Sequence, residues 1–205
     1  VHRRVFQFNP WVKHIGMDGK ARGALAVYFL ERDITIPDSS QITEQLGVQR
    51  SRGIEAQIEV RPDDTSSVAV AYAFNDSEYT EFMQNYVFLT EQGPLEVPVD
   101  RAGATPAFAP EHILNIWAEK RLDNGLALTL GARYVGEQYI SEDNEYVIDS
   151  VLTLDAGLAY VYDDITWRLN VRNLTDREYS MRGFGAASVI PADPVAVYSS
   201  LNWSL

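Results

Sequence analysis

Apolar residues recur at every second position through most of this sequence, and small, polar or charged residues fill the positions between them. In the segment 165–172, Ile165, Trp167, Leu169 and Val171 alternate with Thr, Arg, Asn and Arg. The same alternation runs through residues 54–61, 68–75, 126–135 and 195–205. Successive side chains of a β-strand point to opposite faces, so this period of two predicts strands that are apolar on one face only.

The connectors between these segments are alternately short and long. The short ones are residues 16–19, 62–65, 123–125 and 163–164, and the long ones are 37–41, 80–105, 141–145 and 176–193. Tight turns at one end of an antiparallel meander and longer loops at the other are typical of outer-membrane β-barrels. We therefore expect an all-β, antiparallel up-and-down transmembrane barrel wall of about nine strands, each of roughly 9–16 residues.

Composition is compatible with such a wall. The mean hydropathy of −0.18 resembles that of a soluble protein, but half of each barrel strand faces a polar lumen. The formal charge of −12 argues against nucleic acid as a partner. The absence of cysteine excludes a disulfide scaffold and thiolate-bound metals.

An odd number of strands constrains the interpretation further. Bacterial barrels made from one chain have an even number of strands. Nine strands therefore predict that this chain is the C-terminal portion of a larger barrel.

Several segments resemble one known family. Residues 168–179 contain Asn173, Leu174, Asp176 and Tyr179 at the spacing of the penultimate-strand motif of TonB-dependent outer-membrane receptors, with Thr175 in place of the usual Phe. Residues 50–55 are similar to the strand start R-S-x-G-x-E of that family, and residues 183–205 resemble its siderophore-transporting branch, most closely receptors for hydroxamate-type siderophores. The resemblance covers nearly the whole chain.

The resemblance implies a 22-stranded barrel in the bacterial outer membrane, with residues 1–205 as its C-terminal part and an N-terminal plug domain outside this sequence. The implied function is uptake of ferric siderophores, a transport process without catalytic residues or enzymatic activity. No cofactor and no metal ligand are expected, because the iron arrives already chelated. The implied partners are TonB, through an N-terminal region outside this sequence, the barrel-assembly machinery, through the C-terminal strand, and lipid with lipopolysaccharide.

Alternation places several charged side chains on the predicted lumen face. They are Arg133, Glu137, Asp155, Arg168 and Arg172. We expect them to form an ion-pair lattice that lines the wall and touches the plug, with a path for the ligand as the alternative.

The longest connector, residues 80–105, is rich in aromatic residues. Its length predicts a functional loop outside the cell, and aromatic walls with a few polar groups are common in ligand sites. The candidate ligand-binding residues, in the long connectors or beside them and in the lumen, are Tyr79, Phe82, Tyr86, Phe88, Tyr139, Arg182 and Phe184.

Two other readings stay open. An autonomous small outer-membrane barrel, such as an adhesin, a porin-like channel or a barrel hydrolase, requires an even strand count, and a hydrolase also requires a Ser-His pair. A soluble β-sandwich that binds a ligand fits the hydropathy but not the alternation on nearly every strand. A plug domain encoded upstream of Val1 would decide for the receptor.

Overall fold

The computed structural model describes residues 11–16, 20–37, 43–183 and 188–204. These residues form β-strands joined by turns and irregular segments. The strands are β1 (Trp11–Gly16), β2 (Ala21–Pro37), β3 (Thr43–Asp63), β4 (Ser66–Thr90), β5 (Gly93–Asp100), β6 (His112–Arg121), β7 (Leu126–Val135), β8 (Gln138–Tyr139), β9 (Val147–Ile148), β10 (Val151–Tyr162), β11 (Ile165–Arg172), β12 (Ser180–Gly183), β13 (Val189–Pro191) and β14 (Ala196–Trp203). Within the described ranges, no helix has the length and apolarity needed to cross a membrane.

The main sheet is an antiparallel meander. Its order is β1-β2-β3-β4-β6-β7-β10-β11-β14, without crossovers, and β5 is added to β4 outside this path. Strands β8 and β9 form one small ladder, and β12 and β13 form another. The predicted path of nine strands with nearest-neighbour pairing is confirmed, and crossovers of the kind found in a Greek-key sandwich do not occur among the described strands.

The two ends of the sheet differ as predicted. Tight turns join β3 to β4, β6 to β7 and β10 to β11 at one end, which we call the turn end. The connections from β4 to β6, β7 to β10 and β11 to β14 lie at the opposite, loop end and contain all the small ladders. Residues 17–19 and 38–42, within or beside two further predicted connectors, lie outside the described residues.

Local chemistry explains one of the tight turns. The carboxylate of Asp63 accepts hydrogen bonds from the backbone amide of Thr65 at 2.8 Å and from its hydroxyl at 2.6 Å. This is an Asx-turn, which an aspartate forms at little cost. These hydrogen bonds, with a further one from Ser66, hold the pKa of Asp63 well below its usual range.

The prediction of a loop over residues 80–105 was wrong in its secondary structure. Strand β4 continues to Thr90, and its residues 83–90 pair with β5. Met83 lies opposite Asp100 at one end of this ladder, and Thr90 lies opposite Gly93 at the other. The segment is a β-hairpin, which we call the loop-end hairpin (residues 82–100). Pro94 and Pro98 are compatible with this pairing, because β5 is an edge strand, where a missing N–H is tolerated.

Cross-strand pairing assigns the side chains to two faces. Leu128, Leu158 and Leu169 lie opposite one another on neighbouring strands, as do Trp167 and Leu201. These residues belong to the apolar face, and Leu154 shares it through its pairing with Ala132. The other, polar face carries small and polar residues: Gln57, Ala71, Asn115, Thr129, Gly131, Arg133, Asp155, Gly157, Arg168 and Arg172.

The apolar face is not covered by any part of the described chain. Leu130, Leu201 and Trp203 expose 62%, 68% and 69% of their surface. None of the large side chains that the structure describes is fully buried. A soluble domain of this length buries most of its apolar surface, whereas an outward apolar band is the form that a barrel wall presents to lipid.

The apolar face ends at two ion pairs toward the loop end. On β3 the apolar residues stop at Ile54, and Arg52 then pairs with Asp76 of β4 at 2.7 Å. Arg50 pairs with Glu78 at 2.6 Å two positions further on. Because charges are costly in lipid, these pairs mark where the wall leaves the hydrocarbon. The rest of β3 and β4 then extends beyond it.

Candidate functional site

A β-bulge controls which side chains of the loop-end hairpin face the lumen side. Gln49 pairs with Tyr79 and Val48 pairs with Glu81, so Thr80 is an extra residue in β4. The Thr80 hydroxyl donates a hydrogen bond to the Val48 carbonyl at 3.2 Å. A bulge of this kind shifts the alternation by one position. Beyond Thr80, even-numbered residues therefore continue the polar face that odd-numbered residues occupy before it.

The bulge brings four of the predicted aromatic residues onto one surface. Tyr79 and Phe82, three positions apart, share the polar face, and their ring centroids are 4.7 Å apart. Tyr86 and Phe88 follow Phe82 at alternate positions of the hairpin. We call Tyr79, Phe82, Tyr86 and Phe88 the aromatic face.

The aromatic face is buried at its base and open at its tip. Tyr79 is only 6% exposed, Phe82 and Tyr86 are half-buried, and Phe88 is 54% exposed. Burial raises the pKa of the Tyr79 phenol, and the nearby Glu142 carboxylate raises it further. The base of this surface is therefore a neutral, rigid aromatic contact, while its tip can meet a ligand.

A cavity of about 930 Å³ opens against the polar face of the last strands. It lies between the sheet and the loop-end connections. Its charged and aromatic lining residues are Phe108, Arg133, Asp149, Asp155, Arg172, Tyr179, Arg182, Asp193 and Tyr198. The structure therefore brings three of the predicted wall residues together with Arg182, while Arg168 lies on the same face nearer the turn end.

The expected ion-pair lattice is absent among the described residues. No ion pair in this part of the chain involves Arg133, Arg168, Arg172, Glu137 or Asp155. The plug that this lattice was expected to contact lies outside this sequence, so the lattice stays a prediction. Alternation shows which face a side chain is on but not what lies opposite it. Arg172 instead stacks over the ring of Tyr198, with 5.3 Å from the guanidinium carbon to the ring centroid.

The remaining predicted residues are placed separately. Glu137 lies beyond the end of β7, exposed, and lines a second cavity of about 330 Å³ together with Tyr139 and His112. It therefore does not continue the row of wall residues on the strands. Phe184 lies outside the described residues.

The motif at residues 173–179 forms a structural joint. Asn173 is buried and has a φ of 49°, in the left-handed region that asparagine tolerates. Its amide nitrogen donates to the carbonyls of Arg177 and Asp193, at 3.0 and 3.3 Å, and its side-chain oxygen accepts from the Arg177 amide at 2.8 Å. The Asn173 backbone amide donates to Asp155 at 2.9 Å.

Two further residues of the motif extend this joint. Asp176 accepts a hydrogen bond from the Val195 amide at 2.9 Å, and the Leu174 amide donates to the Leu154 carbonyl at 2.7 Å. The motif thus ties the end of β11 to β10 and to the start of β14. Tyr179 instead lines the larger cavity.

Sequence reasoning missed Arg101 and Gln84, which hydrogen-bond to each other and to Tyr86. Arg101 is the only lysine or arginine in the stretch 62–119, and this was the signal that could have identified it. No cluster of three or more His, Asp or Glu side chains among the described residues is arranged to hold a metal ion.

The comparison with protein families identifies this architecture. The sequence model of the family described as "TonB dependent receptor-like, beta-barrel" matches residues 16–174. The chain belongs to this family. Its strands accordingly belong to an outer-membrane β-barrel wall, and the outward apolar face is the face that such a barrel turns to lipid.

Two receptors are similar to it in sequence. The "Ferrichrome outer membrane transporter/phage receptor" of Escherichia coli K12 is 27% identical over 185 residues, which cover 84% of this chain and 23% of that protein. The "Ferrioxamine receptor" of Yersinia enterocolitica is 25% identical over 142 residues, 65% of this chain and 18% of that protein. The chain thus spans about a quarter or less of the length of these relatives.

Solved structures share its fold. The siderophore receptor PiuA of Acinetobacter baumannii superposes with a TM-score of 0.80 at 19% identity, over 96% of this chain and 28% of that one. The ferric yersiniabactin uptake receptor FyuA of Yersinia pestis gives a TM-score of 0.73 at 17% identity, over 96% and 29%. At these identities the likeness establishes the fold alone.

Proposed function

We propose that this chain forms part of the wall and of the ligand-binding rim of a receptor that takes up ferric siderophores. The observation that carries the proposal is that one face bears both features. In a barrel wall of the TonB-dependent receptor family, the polar face carries a cavity of about 930 Å³ at the loop end and, on the loop-end hairpin, the aromatic face.

The chemistry of that surface suits a chelated metal. The aromatic face offers flat contacts for the organic shell of a chelate, and the cavity offers charged and hydroxyl groups that orient it. The iron is cargo whose coordination sites the chelator fills, so the wall needs no ligand for it. Transport proceeds by binding and release, without a covalent step and without a catalytic residue.

The class of siderophore is part of the proposal. The segment from residue 183 to the C-terminus resembles receptors for hydroxamate-type siderophores, and the two relatives are named for ferrichrome and ferrioxamine. We therefore expect a ferric hydroxamate complex to be carried.

The partners follow from the same architecture. Residues 1–205 form the C-terminal part of the proposed 22-stranded barrel, and a plug and a TonB-binding region belong to a part of the receptor outside this sequence. The apolar face contacts lipid, the loop end adjoins lipopolysaccharide, and the last strand is the part that the barrel-assembly machinery recognises.

Replacing the loop-end hairpin tests the proposal. Residues 84–99 are exchanged for Asn-Gly, which closes the Met83–Asp100 pair with a two-residue turn. The receptor carrying this change should reach the outer membrane at the normal level, because the main sheet keeps its pairing, and its uptake of ferrichrome or ferrioxamine should fall at least tenfold.

The matched control lies at the turn end. Exchanging Asp163-Asp164 for Asn-Gly alters a tight turn on the other side of the wall and should leave uptake unchanged. Full transport by the hairpin variant at normal surface level would contradict a role of the hairpin in ligand capture.

A further inference from the structure

Arg101 lies at the base of the loop-end hairpin, directly after β5. Its backbone amide donates to the carbonyl of Phe82 at 2.8 Å. The neighbouring turn is closed by bonds from the Tyr79 amide to the Ala104 carbonyl and from the Gly103 amide to the Tyr79 carbonyl, at 2.9 and 2.8 Å. The backbone of Arg101 is therefore held where the hairpin joins the rim of the sheet.

The Arg101 side chain turns back along the aromatic face. Its Nε donates to Oε1 of Gln84 at 3.1 Å, and one terminal nitrogen donates to the Tyr86 hydroxyl at 2.7 Å. That hydroxyl in turn donates to Gln84 Oε1 at 3.0 Å. The guanidinium carbon lies 5.7 Å from the centroid of the Tyr86 ring. Three side chains thus form a closed hydrogen-bonded triangle.

The same arginine faces the neighbouring connection between β8 and β9. Its positive charge helps to lower the pKa of Asp143, for which the hydrogen bond from the Ser141 hydroxyl is the main cause. Beside it, the Thr105 amide donates to Oδ1 of Asn144 at 2.7 Å, and Nδ2 of Asn144 donates to the Thr105 carbonyl at 2.8 Å. The base of the hairpin is therefore fastened to this connection.

An isolated two-stranded hairpin is marginally stable in water. Beyond Phe82, the described strands provide β4 with no ladder partner other than β5. The orientation of Tyr86 and Phe88 therefore depends on side-chain contacts at the base. A surface that is already ordered loses less conformational entropy when a ligand binds.

We propose that Arg101 is a positioning residue for ligand capture: by holding Gln84 and Tyr86, it keeps the aromatic face in its binding orientation. This inference rests on the proposed function. The planar guanidinium supplies two donors in a fixed geometry, which the ammonium group of a lysine cannot reproduce.

The experiment uses the receptor that carries this chain and radiolabelled ferrichrome and ferrioxamine as probes. Arg101→Ala should raise the half-saturation concentration for uptake about tenfold, the value expected when hydrogen bonds from a charged group are lost, and should leave the maximal rate unchanged. With Arg101→Lys, more than half of this rise in the half-saturation concentration should remain on a logarithmic scale. Tyr86→Phe, which keeps the ring, should raise the half-saturation concentration less than Arg101→Ala does. Arg177→Ala is the control, because the Arg177 side chain makes no ion pair or hydrogen bond among the described residues.

A second readout needs no ligand. The chain has no cysteine, so a spin label can be placed at Leu89→Cys, on the opposite side of the hairpin from the aromatic face. The label should become more mobile with Arg101→Ala and stay unchanged with Arg177→Ala.

The outcomes separate the two proposals. If wild-type receptor takes up neither chelate, the proposed function fails and the inference fails with it. If wild-type uptake is normal, an unchanged half-saturation concentration or an unchanged label in Arg101→Ala overturns the inference alone. A wild-type half-saturation concentration in Arg101→Lys also overturns it, because a positive charge without the planar guanidinium and its two donors would then suffice.

Discussion

Charged side chains are arranged differently in the first and the last strands of the sheet. In β2, β3 and β4, arginines and carboxylates lie directly opposite one another: Arg22 with Glu59, Arg50 with Glu78 and Arg52 with Asp76. All three pairs form ion pairs. Opposite charges at paired positions attract each other across an antiparallel ladder, so this part of the wall neutralises its own charges.

The last strands carry the same residue types without such pairing. Arg133 lies opposite Asn115 and Thr153, and Arg168 lies opposite Ala159 and Ser200. The carboxylate of Asp155 accepts the backbone amide of Asn173 instead of an arginine. Here a buried network holds the strands together, and Arg133 and Arg172 line the cavity.

The difference shows that the two regions use polar residues for different purposes. In β2–β4 the polar side chains stabilise the wall itself, through exposed ion pairs of small individual value. In β10–β14 one buried asparagine and two aspartates do this. Arg133 of β7 and Arg172 of β11, which make no ion pair among the described residues, can meet a ligand or another part of the receptor. The four predictions that follow test this contrast, from the largest expected effect to the smallest.

A charge placed on the apolar face should destabilise both regions of the wall equally. Ile58→Arg on β3 and Leu130→Arg on β7 each place a charge in the lipid-facing band and should each cost about 2–4 kcal/mol of the free energy of unfolding. Denaturant unfolding in lipid vesicles measures this. Gln57→Arg and Thr129→Arg, each one residue away on the polar face, serve as controls and should cost less than about 1 kcal/mol. A small loss of stability at only one of the two apolar positions would show that the lipid-facing band does not extend through both regions.

The buried network should be the main polar contribution to stability in the last strands. Asn173→Ala removes three side-chain hydrogen bonds and should cost about 1–3 kcal/mol for the unsatisfied groups. Asn173→Gly still permits the left-handed φ at this position, so its loss in free energy of unfolding measures the side-chain hydrogen bonds alone. The control is Asn170→Ala, an exposed residue on the polar face. Equal stability of the Asn170 and Asn173 variants would contradict a structural role of the motif.

Much of the fold could be predicted, because a period of two determines which face each strand residue occupies. Trp167 and Leu201 were assigned to the same face on alternation alone, and their pairing agrees. The hairpin at residues 82–100 was missed because both alternate positions carry apolar residues and Pro94 and Pro98 resemble strand breakers.

The candidate site was less predictable, because alternation says nothing about cross-strand partners or bulges. The ion-pair lattice was expected from charges on one face, but Arg133 faces Thr153 across the ladder. The single extra residue Thr80, which aligns the aromatic face, has no sequence signature. The motif located Asn173, but its role follows only from its φ of 49° and its partners.

The free arginines should affect binding but not stability. Arg133→Gln with Arg172→Gln should change the half-saturation concentration for the ferric chelate by about tenfold, an effect of ~1.4 kcal/mol, while the free energy of unfolding stays within about 0.5 kcal/mol of the wild-type value. Arg52→Gln in the paired region should leave uptake unchanged. A loss of stability in the double variant, without a change in uptake, would show that these arginines support the wall after all.

Exchanging the two members of one ion pair tests whether opposite charges in the paired region stabilise each other. Arg52 and Asp76 are 69% and 36% exposed at their side chains, so water and salt screen their attraction, and the pair contributes about 0–1 kcal/mol. Arg52→Asp alone places two carboxylates opposite each other, and Asp76→Arg alone places two guanidinium groups there, so each should destabilise the sheet by a similar amount. The double exchange restores an opposite pair and should recover most of that loss. The recovery should shrink in 1 M salt, where the screening length is about 3 Å. If the double variant is instead as unstable as the sum of the single variants, the two side chains do not stabilise each other, and the ladder position alone accounts for their proximity.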